Sequence, residues 1–324
     1  MFVGVDLGGT KIAYAVIDHK QGRVLARHVA ATSSADGSDA VLIRMAEDIR
    51  HVVARAGVTL ADIYGIGCGV PGVYDDATGH TLFLPNLMGT WHQVPVGPVL
   101  TASLGVPVWL INDARAFVLA EATYGAGRGQ QNVVGFTIGT GIGGGVVINQ
   151  RLYMGINGTA GEFGHQTLAL DGPQCGCGNY GCLEAFASGT AMVAQAKTLI
   201  EAGQAPDLAH QVASGLHLTP SLMANCRDIA VHKMLVQVYQ YLGAGVANVV
   251  SLFSPNVVVL GGSVSQLGAP LCDAVRQVVI QRCRATPVER IPIVTAELGG
   301  DAGVLGAAVW AVHRSGAEIA HTLT

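Results

Sequence analysis

The sequence predicts an α/β fold assembled from two related halves, and three observations point there. Residues 3–18, VGVDLGGTKIAYAVID, and residues 134–149, VGFTIGTGIGGGVVIN, align without a gap at an offset of 131. Val3/Val134, Gly4/Gly135, Gly8/Gly139, Val16/Val147 and Ile17/Ile148 are identical pairs. Behind each copy, apolar runs of strand length alternate with segments of helical periodicity, the pattern of an α/β protein. The composition can fill a large core. Of 324 residues, half are hydrophobic and 12% are charged, with a mean hydropathy of +0.43, which argues against disorder.

Each repeat reads as an apolar strand, a turn of small residues and a second apolar strand, which predicts a β-hairpin. In the first half, SDAVLIRMAEDIRHVVARAG (38–57) has apolar residues at helical spacing and stops at a glycine. IYGIGCGVPG (63–72) predicts a strand running into a turn. VPVWLIND (106–113) predicts a strand ending in two polar residues, and ARAFVLAEATYG (114–125) a helix. In the second half, ASGTAMVAQAKTLIEAG (187–203) predicts a helix with a Ser/Thr-type start, and VHKMLVQVYQYLGAGVANVVSLF (231–253) a long apolar one. PNVVVLGGSV (255–264) predicts a strand opening into a Gly-Gly turn, and DAGVLGAAVWAVHRS (301–315) a final helix. No long linker separates the halves, so a short hinge and a site in the cleft between two domains are expected.

Several function classes are disfavoured. A net charge of −4 without a Lys/Arg run leaves no footprint for nucleic acid. The start MFVGVDLGG lacks the basic and apolar regions of a signal peptide. The most apolar stretch, VVSLFSPNVVVLGG (249–262), is interrupted by Ser, Pro and Asn, so no membrane span is expected. Seven cysteines make a disulfide framework unexpected. A cytoplasmic protein is the expectation.

Gly-rich turns let backbone N–H groups approach an anion closely. GTGIGGG (139–145) satisfies G-x-G-x-x-G, but VVINQRLY follows it, a strand where a dinucleotide site needs a helix. Neither loop matches the P-loop pattern. Two glycine hairpins at matching places instead suggest a nucleotide, with Gly139, Thr140, Gly141 and Gly143 in the second loop. In DLGGTK (6–11), Asp6 is a candidate for holding Mg²⁺ through water. Gly8, Gly9, Thr10 and Lys11 are candidates for terminal phosphate oxygens. Ordinary tight turns are the alternative. The pattern resembles the actin-like ATPase superfamily, which includes sugar kinases. GGSV (261–264) resembles its adenosine loop, which assigns Gly261 and Gly262 to the nucleotide. GDAGVLGAAVWA (300–311) resembles its closing helix, which returns to the first domain.

Phosphoryl transfer to an alcohol needs a group that takes the hydroxyl proton, while positioning and charge stabilisation supply most of the remaining catalysis. Asp113, at the end of a strand, suits that role; N-capping the next helix is its alternative. Asn112, Asp113, Glu162, His165 and Glu184 together supply polar groups for a polyol acceptor. His165, Cys175, Cys177 and Cys182 have the composition of a tetrahedral Cys₃His zinc site, with all four positions filled by protein, as in structural zinc. Redox thiols and catalytic zinc are the alternatives. Cys68, Cys226, Cys272 and Cys283 lie in apolar stretches and are expected to be buried.

GTAGEFGHQTLALDGPQCGCGNYGCLE (158–184) resembles the signature of the ROK family (repressors, open reading frames and kinases), and the resemblance extends over nearly the whole chain. It implies two actin-like, ribonuclease H-like α/β domains with a cleft between them. The smaller would be residues 1–116 with the C-terminal helix 302–324, the larger residues 117–301 with a zinc loop at 165–182. It implies Asp113 as base, sugar contacts from Gly72, Asn86, Asn112, Asp113, Glu162, His165 and Glu184, and ATP, Mg²⁺ and structural Zn²⁺. PGVYDD (71–76), with Tyr74, departs from the family's Pro-Gly-Pro-like turn. Arg115 stands where the family often has Asn. Both flank the implied sugar site and bear on which sugar it takes.

The expected activity is therefore ATP-dependent phosphorylation of the 6-hydroxyl of glucose or a close relative. An N-acetylglucosamine or N-acetylmannosamine kinase and a fructokinase are the enzyme alternatives. A sugar-sensing regulator is the alternative of another class; it would need a helix-turn-helix ahead of the first hairpin, which begins here at Val3. A homodimer or homotetramer is implied by the resemblance alone.

Overall fold

The computed structural model describes residues 1–85 and 87–318. The chain divides into two compact units. One comprises Met1–Gln130, Val146–Ala160 and Glu297–Thr324, the other Gln131–Gly145 and Gly161–Ala296.

The first unit opens with β1 (Phe2–Leu7), β2 (Lys11–Asp18) and β3 (Arg23–Ala31), followed by α1 (Ser38–Arg55). Then come β4 (Gly65–Val70), the short strands β5 (Val73–Asp75) and β6 (His80–Phe83), α2 (Val96–Leu104), β7 (Val108–Asn112) and α3 (Asp113–Thr123). The strand order is β3-β2-β1-β4-β7. The first three strands are joined by tight turns and pair antiparallel. β1, β4 and β7 are joined through helices and run parallel, because a parallel pair needs a crossover. β1 is buried along almost its whole length, which explains why FVGVDL reads as a nearly continuous apolar run.

The remaining elements are β8 (Val133–Ile138), β9 (Ile142–Ile148), β10 (Arg151–Leu152), α4 (Leu183–Ala187), α5 (Gly189–Glu201), α6 (Pro206–Ala213), α7 (Pro220–Asn225), α8 (Ile229–Phe253), β11 (Val257–Gly261), α9 (Ala269–Arg282), β12 (Ile293–Thr295) and α10 (Ala302–Ser315). The second sheet has the order β10-β9-β8-β11-β12. Here β10 is antiparallel to β9, and β8, β11 and β12 are parallel. The two orders match strand for strand. β8 and β9 begin 131 residues after β1 and β2, the offset of the sequence repeat. The loop between β8 and β9 leads into a strand, which is incompatible with a dinucleotide-binding turn.

In the first unit α10 packs on β1, β4 and α3. The approach is close because small residues line it. A Cβ at Gly67 would overlap the carbonyl oxygen of Ala307, and one at Gly306 that of Ala116. Trp310 Nε1 donates to the Leu110 carbonyl at 2.8 Å, tying the helix to β7. In the second unit Val238, Leu242, Val246 and Val250 form the buried stripe of α8, and β11 is wholly buried.

Strand β3, the β5–β6 pair, α2, β10, α4, α6, α7, α9 and β12 carry no clear signal in the sequence. Most are short. β3 is long but half-exposed, with His and Arg among its residues, so its apolar alternation is weak. Cys68, Cys226, Cys272 and Cys283 are buried free cysteines. Among the described residues, no helix is long and apolar enough to cross a membrane.

Candidate active site

In the first unit the candidate residues gather at the carboxyl ends of parallel strands, where α/β sheets place ligands. Asp6 pairs in register with Gly69, and Val70 with Asn112. The turn after β1 is fixed from both sides. Gly8 N donates to Lys11 O at 3.1 Å, and Thr32 holds the turn through its backbone N–H on Thr10 O at 2.9 Å. The Thr32 hydroxyl donates to Gly8 O at 2.6 Å. Gly9 is half-buried, and Thr10 and Lys11 are exposed. No motif in the sequence marks Thr32; only the pairing of β2 with β3 brings it there.

Asp6 carries the clearest electrostatic signature of the turn. Burial pushes its carboxyl up to about 6, the negative charge of Asp113 adds to the rise, and Lys11 opposes it. A Cβ at Gly303, in the first turn of α10, would overlap Asp6 Oδ2, so that glycine makes room for the carboxylate.

Asn112 caps α3: its Oδ1 accepts from Ala114 N at 3.1 Å and Arg115 N at 3.3 Å. The capping role open to Asp113 therefore falls to Asn112. Asp113 is the first helical residue, and its Oδ1 accepts from Ala114 N at 2.8 Å. Asn112 Nδ2 donates to Gly72 O at 3.2 Å, which brings Gly72 to the same place. Asn86 lies outside the described residues. Arg115 is buried, and its Nε donates to Ala160 O at 2.7 Å. Tyr74 is buried with its hydroxyl unpaired among the described residues, and its phenol is raised mainly by that burial.

In the second unit the glycine loop 139–145 lies beside the turn after β11. A Cβ at Gly139 would stand 3.9 Å from Ser263 Oγ, and one at Gly262 would overlap the Ile138 carbonyl. The candidates Gly139, Thr140, Gly141, Gly261 and Gly262 thus converge. Gly143 belongs to β9. Glu184, near the start of α4, accepts the Ile142 N–H through Oε2 at 2.7 Å. A Cβ at Gly141 would overlap that same oxygen, so a side chain there would displace the Glu184 carboxylate. The neighbouring Gly144 has a packing role: its Cβ would overlap the Phe163 ring.

His165, Cys175, Cys177 and Cys182 converge, with all four donor atoms within 4.8 Å of one another. His165 Nδ1 lies 3.7 Å from Cys175 Sγ, and Cys177 Sγ lies 3.8 Å from Cys182 Sγ. The opposite ring nitrogen, Nε2, lies 3.9 Å from Glu162 Oε2. Cys175 N donates to Asn179 O at 2.8 Å and Gly178 N to Cys175 O at 2.9 Å, closing a tight knuckle. Burial pushes the Cys175 thiol up to about 12 and raises that of Cys182, whereas the backbone amide of Asn179 lowers that of Cys177. Cys175 Sγ also lies 3.7 Å from Glu184 Oε1.

A cavity of about 770 Å³ in the first unit, lined by Arg151, Leu152, Met154, Trp310, His313 and Arg314 among others, contains none of the candidate residues. That concavity and the candidate chemistry therefore do not coincide.

Residues 2–314 match the family profile described as "ROK family". A glucokinase of Thermotoga maritima is 35% identical over 311 residues, covering 94% of this chain and 95% of the relative. A putative xylose repressor of a Caldicellulosiruptor species is 30% identical, over 94% of this chain and 76% of the relative. Among solved structures, a ROK hexokinase from Thermus thermophilus superposes with a TM-score of 0.82 at 36% identity, covering 97% of this chain and 98% of that one. A ROK family glucokinase from Streptomyces griseus, in complex with glucose and AMPPNP, gives 0.77 at 34% identity, with 96% and 99% covered.

Proposed function

This chain belongs to the ROK family, and we propose that it is an ATP-dependent hexose kinase acting on the 6-hydroxyl of glucose or a close relative. The reading draws on the glucokinase and hexokinase relatives and on the glucose and AMPPNP held by the Streptomyces griseus protein. The observation that carries it is the gathering of Asp6, Asn112 and Asp113 at the carboxyl ends of β1 and β7, on either side of β4 and beside the Gly8–Lys11 turn.

In this reading Asp113 accepts the proton of the sugar hydroxyl as its oxygen attacks the γ-phosphorus; the bond to the β,γ-bridging oxygen breaks and ADP leaves. A base so placed contributes about 10²–10⁴ in rate. Asp6 would hold Mg²⁺, which supplies positive charge to the phosphate oxygens. The Asp6 carboxylate fits a divalent cation, because a cation relieves the cost of ionising a buried carboxyl. The Gly8–Lys11 turn and the loop at Gly139–Gly141 hold phosphate oxygens, and Gly261 and Gly262 the adenosine. Gly72, Asn112, Glu162, His165 and Glu184 orient the sugar. Asn112 has its Oδ1 and one N–H engaged within the protein, so it offers the sugar one N–H.

The four donors of the knuckle fit structural zinc. The edge of a tetrahedron with Zn–S bonds of about 2.3 Å is about 3.8 Å, and the Cys177–Cys182 sulfur separation is 3.8 Å. His165 would bind through Nδ1 and leave Nε2 toward Glu162, so the metal would orient a sugar contact without touching the sugar. Assembly into a homodimer or homotetramer belongs to the same reading.

A coupled ADP-release assay over hexoses and N-acetylhexosamines tests the proposal. Glucose or a close relative is expected to give the highest kcat/KM. Preference for N-acetylmannosamine, N-acetylglucosamine or fructose would reassign the substrate. Asp113→Asn is expected to lower kcat by about 10²–10⁴ and leave sugar affinity within a few-fold; near-normal turnover would sink the assignment of the base.

A further inference from the structure

Four contacts connect the cysteine knuckle to the glycine loop, all within the second unit. Cys182 precedes α4 as its cap residue. Two residues on, Glu184 accepts the Ile142 N–H at 2.7 Å while its other oxygen lies 3.7 Å from Cys175 Sγ. Then α5 begins: Gly189 N donates to Gly139 O at 2.7 Å, and Thr190 Oγ1 donates to Thr140 O at 2.8 Å. The knuckle, α4 and the first turn of α5 therefore line one side of residues 139–142.

The direction of these bonds matters. In a trans peptide the N–H points opposite to the C=O of the same unit. With the carbonyls of Gly139 and Thr140 drawn toward α5, the N–H groups of Thr140 and Gly141 are turned to the other side of the loop. Glu184 removes the Ile142 N–H from the set that can meet an anion. It also stands where a side chain on Gly141 would be. Of the loop amides, Thr140 and Gly141 are the pair left aimed outward, and what aims them is attached to the knuckle.

We propose that Glu184 and Thr190 are positioning residues through which the cysteine knuckle sets the direction of the Thr140 and Gly141 amides that receive the donor phosphate. The knuckle then serves the phosphate loop as well as the sugar contacts. This rests on the kinase reading for the identity of the anion, but not for the mechanical connection.

Two measurements test it. In the first, hydrogen exchange is followed in the full chain with zinc bound and after chelation. The Ile142 amide is expected to exchange about tenfold faster or more without zinc, consistent with loss of one charge-assisted hydrogen bond, while the β11 amides keep their protection. Unchanged protection across residues 139–142 would overturn the coupling, whether or not the protein is a kinase. In the second, Thr190→Val is expected to raise KM for ATP about fivefold to tenfold, with KM for sugar within twofold and zinc content retained. Thr190→Ser is expected to restore the parent value. An unchanged KM for ATP, or an equal rise for both substrates, would overturn the role of Thr190. If the unmodified protein phosphorylates no sugar, the kinase reading fails by itself and the exchange result still decides the coupling.

Discussion

The carboxylate of Glu121 accepts the backbone N–H of Leu298, 177 residues later in the chain, at 2.9 Å. The same side chain accepts from Glu297 N at 3.1 Å and from Ala126 N at 2.9 Å, and it is fully buried. The chain first leaves the first unit after Gln130, returns to it for Val146–Ala160, and re-enters it for the last time at Glu297. One buried carboxylate therefore secures the first departing and the last returning segment within that unit. Arg128 adds an ion pair to Glu297. Three backbone donors make the burial of a charge tolerable.

Glu121→Ala would leave those three N–H groups unsatisfied. A loss of about 3 kcal/mol or more is expected, read as a lower urea midpoint. Glu121→Gln keeps the shape but turns an amide N–H₂ toward backbone donors, so it should fall between parent and alanine variant. A glutamine variant as stable as the parent would show that the charge is immaterial.

Gly303→Ala separates helix propensity from site geometry. Alanine favours a helix over glycine by about 0.5–1 kcal/mol, yet here its Cβ would overlap Asp6 Oδ2. The variant is expected to need several-fold more Mg²⁺ for half-maximal activity, without the gain in Tm that propensity alone would give. An unchanged Mg²⁺ requirement would contradict the placement of the cation at Asp6.

Asp6 also makes stability depend on pH. Its carboxyl is raised in the fold from 3.8 to about 6, so the native state binds the proton more tightly. The associated stability is fully present below about pH 4 and is lost as pH rises through about 6. The difference amounts to about 3 kcal/mol. Asp6→Asn is therefore expected to melt above the parent at pH 8 without Mg²⁺, with the advantage vanishing near pH 4. Mg²⁺ should raise the Tm of the parent at pH 8 and not that of the variant. Parallel Tm curves for the two proteins across this range would refute the assignment.

Zinc binding should release protons. The Cys175 thiol is raised to about 12 and Cys182 is raised as well, so both are protonated at neutral pH until the metal enters. Ligation needs thiolates, so at least two protons per zinc are expected near pH 7. Competition with a chromophoric chelator between pH 6 and 8 should give a slope of at least two in log affinity against pH. A slope near zero would exclude ligation by these thiols.

Much of the candidate site is legible in the amino-acid order. GTGIGGG and DLGGTK stand out because runs of small residues leave backbone N–H groups open to an anion. The knuckle stands out because its cysteines are close in the chain and few arrangements satisfy them. The strand leading to Asn112 and Asp113 is legible from its apolar run, but spacing alone does not say which of the two caps α3. Helices such as α6 and α9 escape a pattern reading because their apolar periodicity is interrupted or short.

Glu184 shows where such reading ends. Its position beside Cys182 marks it as a candidate site residue, yet nothing in the spacing says that its carboxylate holds the Ile142 amide, 42 residues earlier. Hydrophobic period and short spacings express local geometry directly, so the doubled α/β architecture, the two glycine turns and the knuckle's donor set are written in the chain itself. Which distant residues support them is settled only in three dimensions: Thr32 behind the first turn, Gly303 against Asp6, Glu121 at the crossing segments, Glu184 and Thr190 behind the second loop. Those partners are chosen by how helices settle on the sheets, and that depends on the packing of many side chains at once.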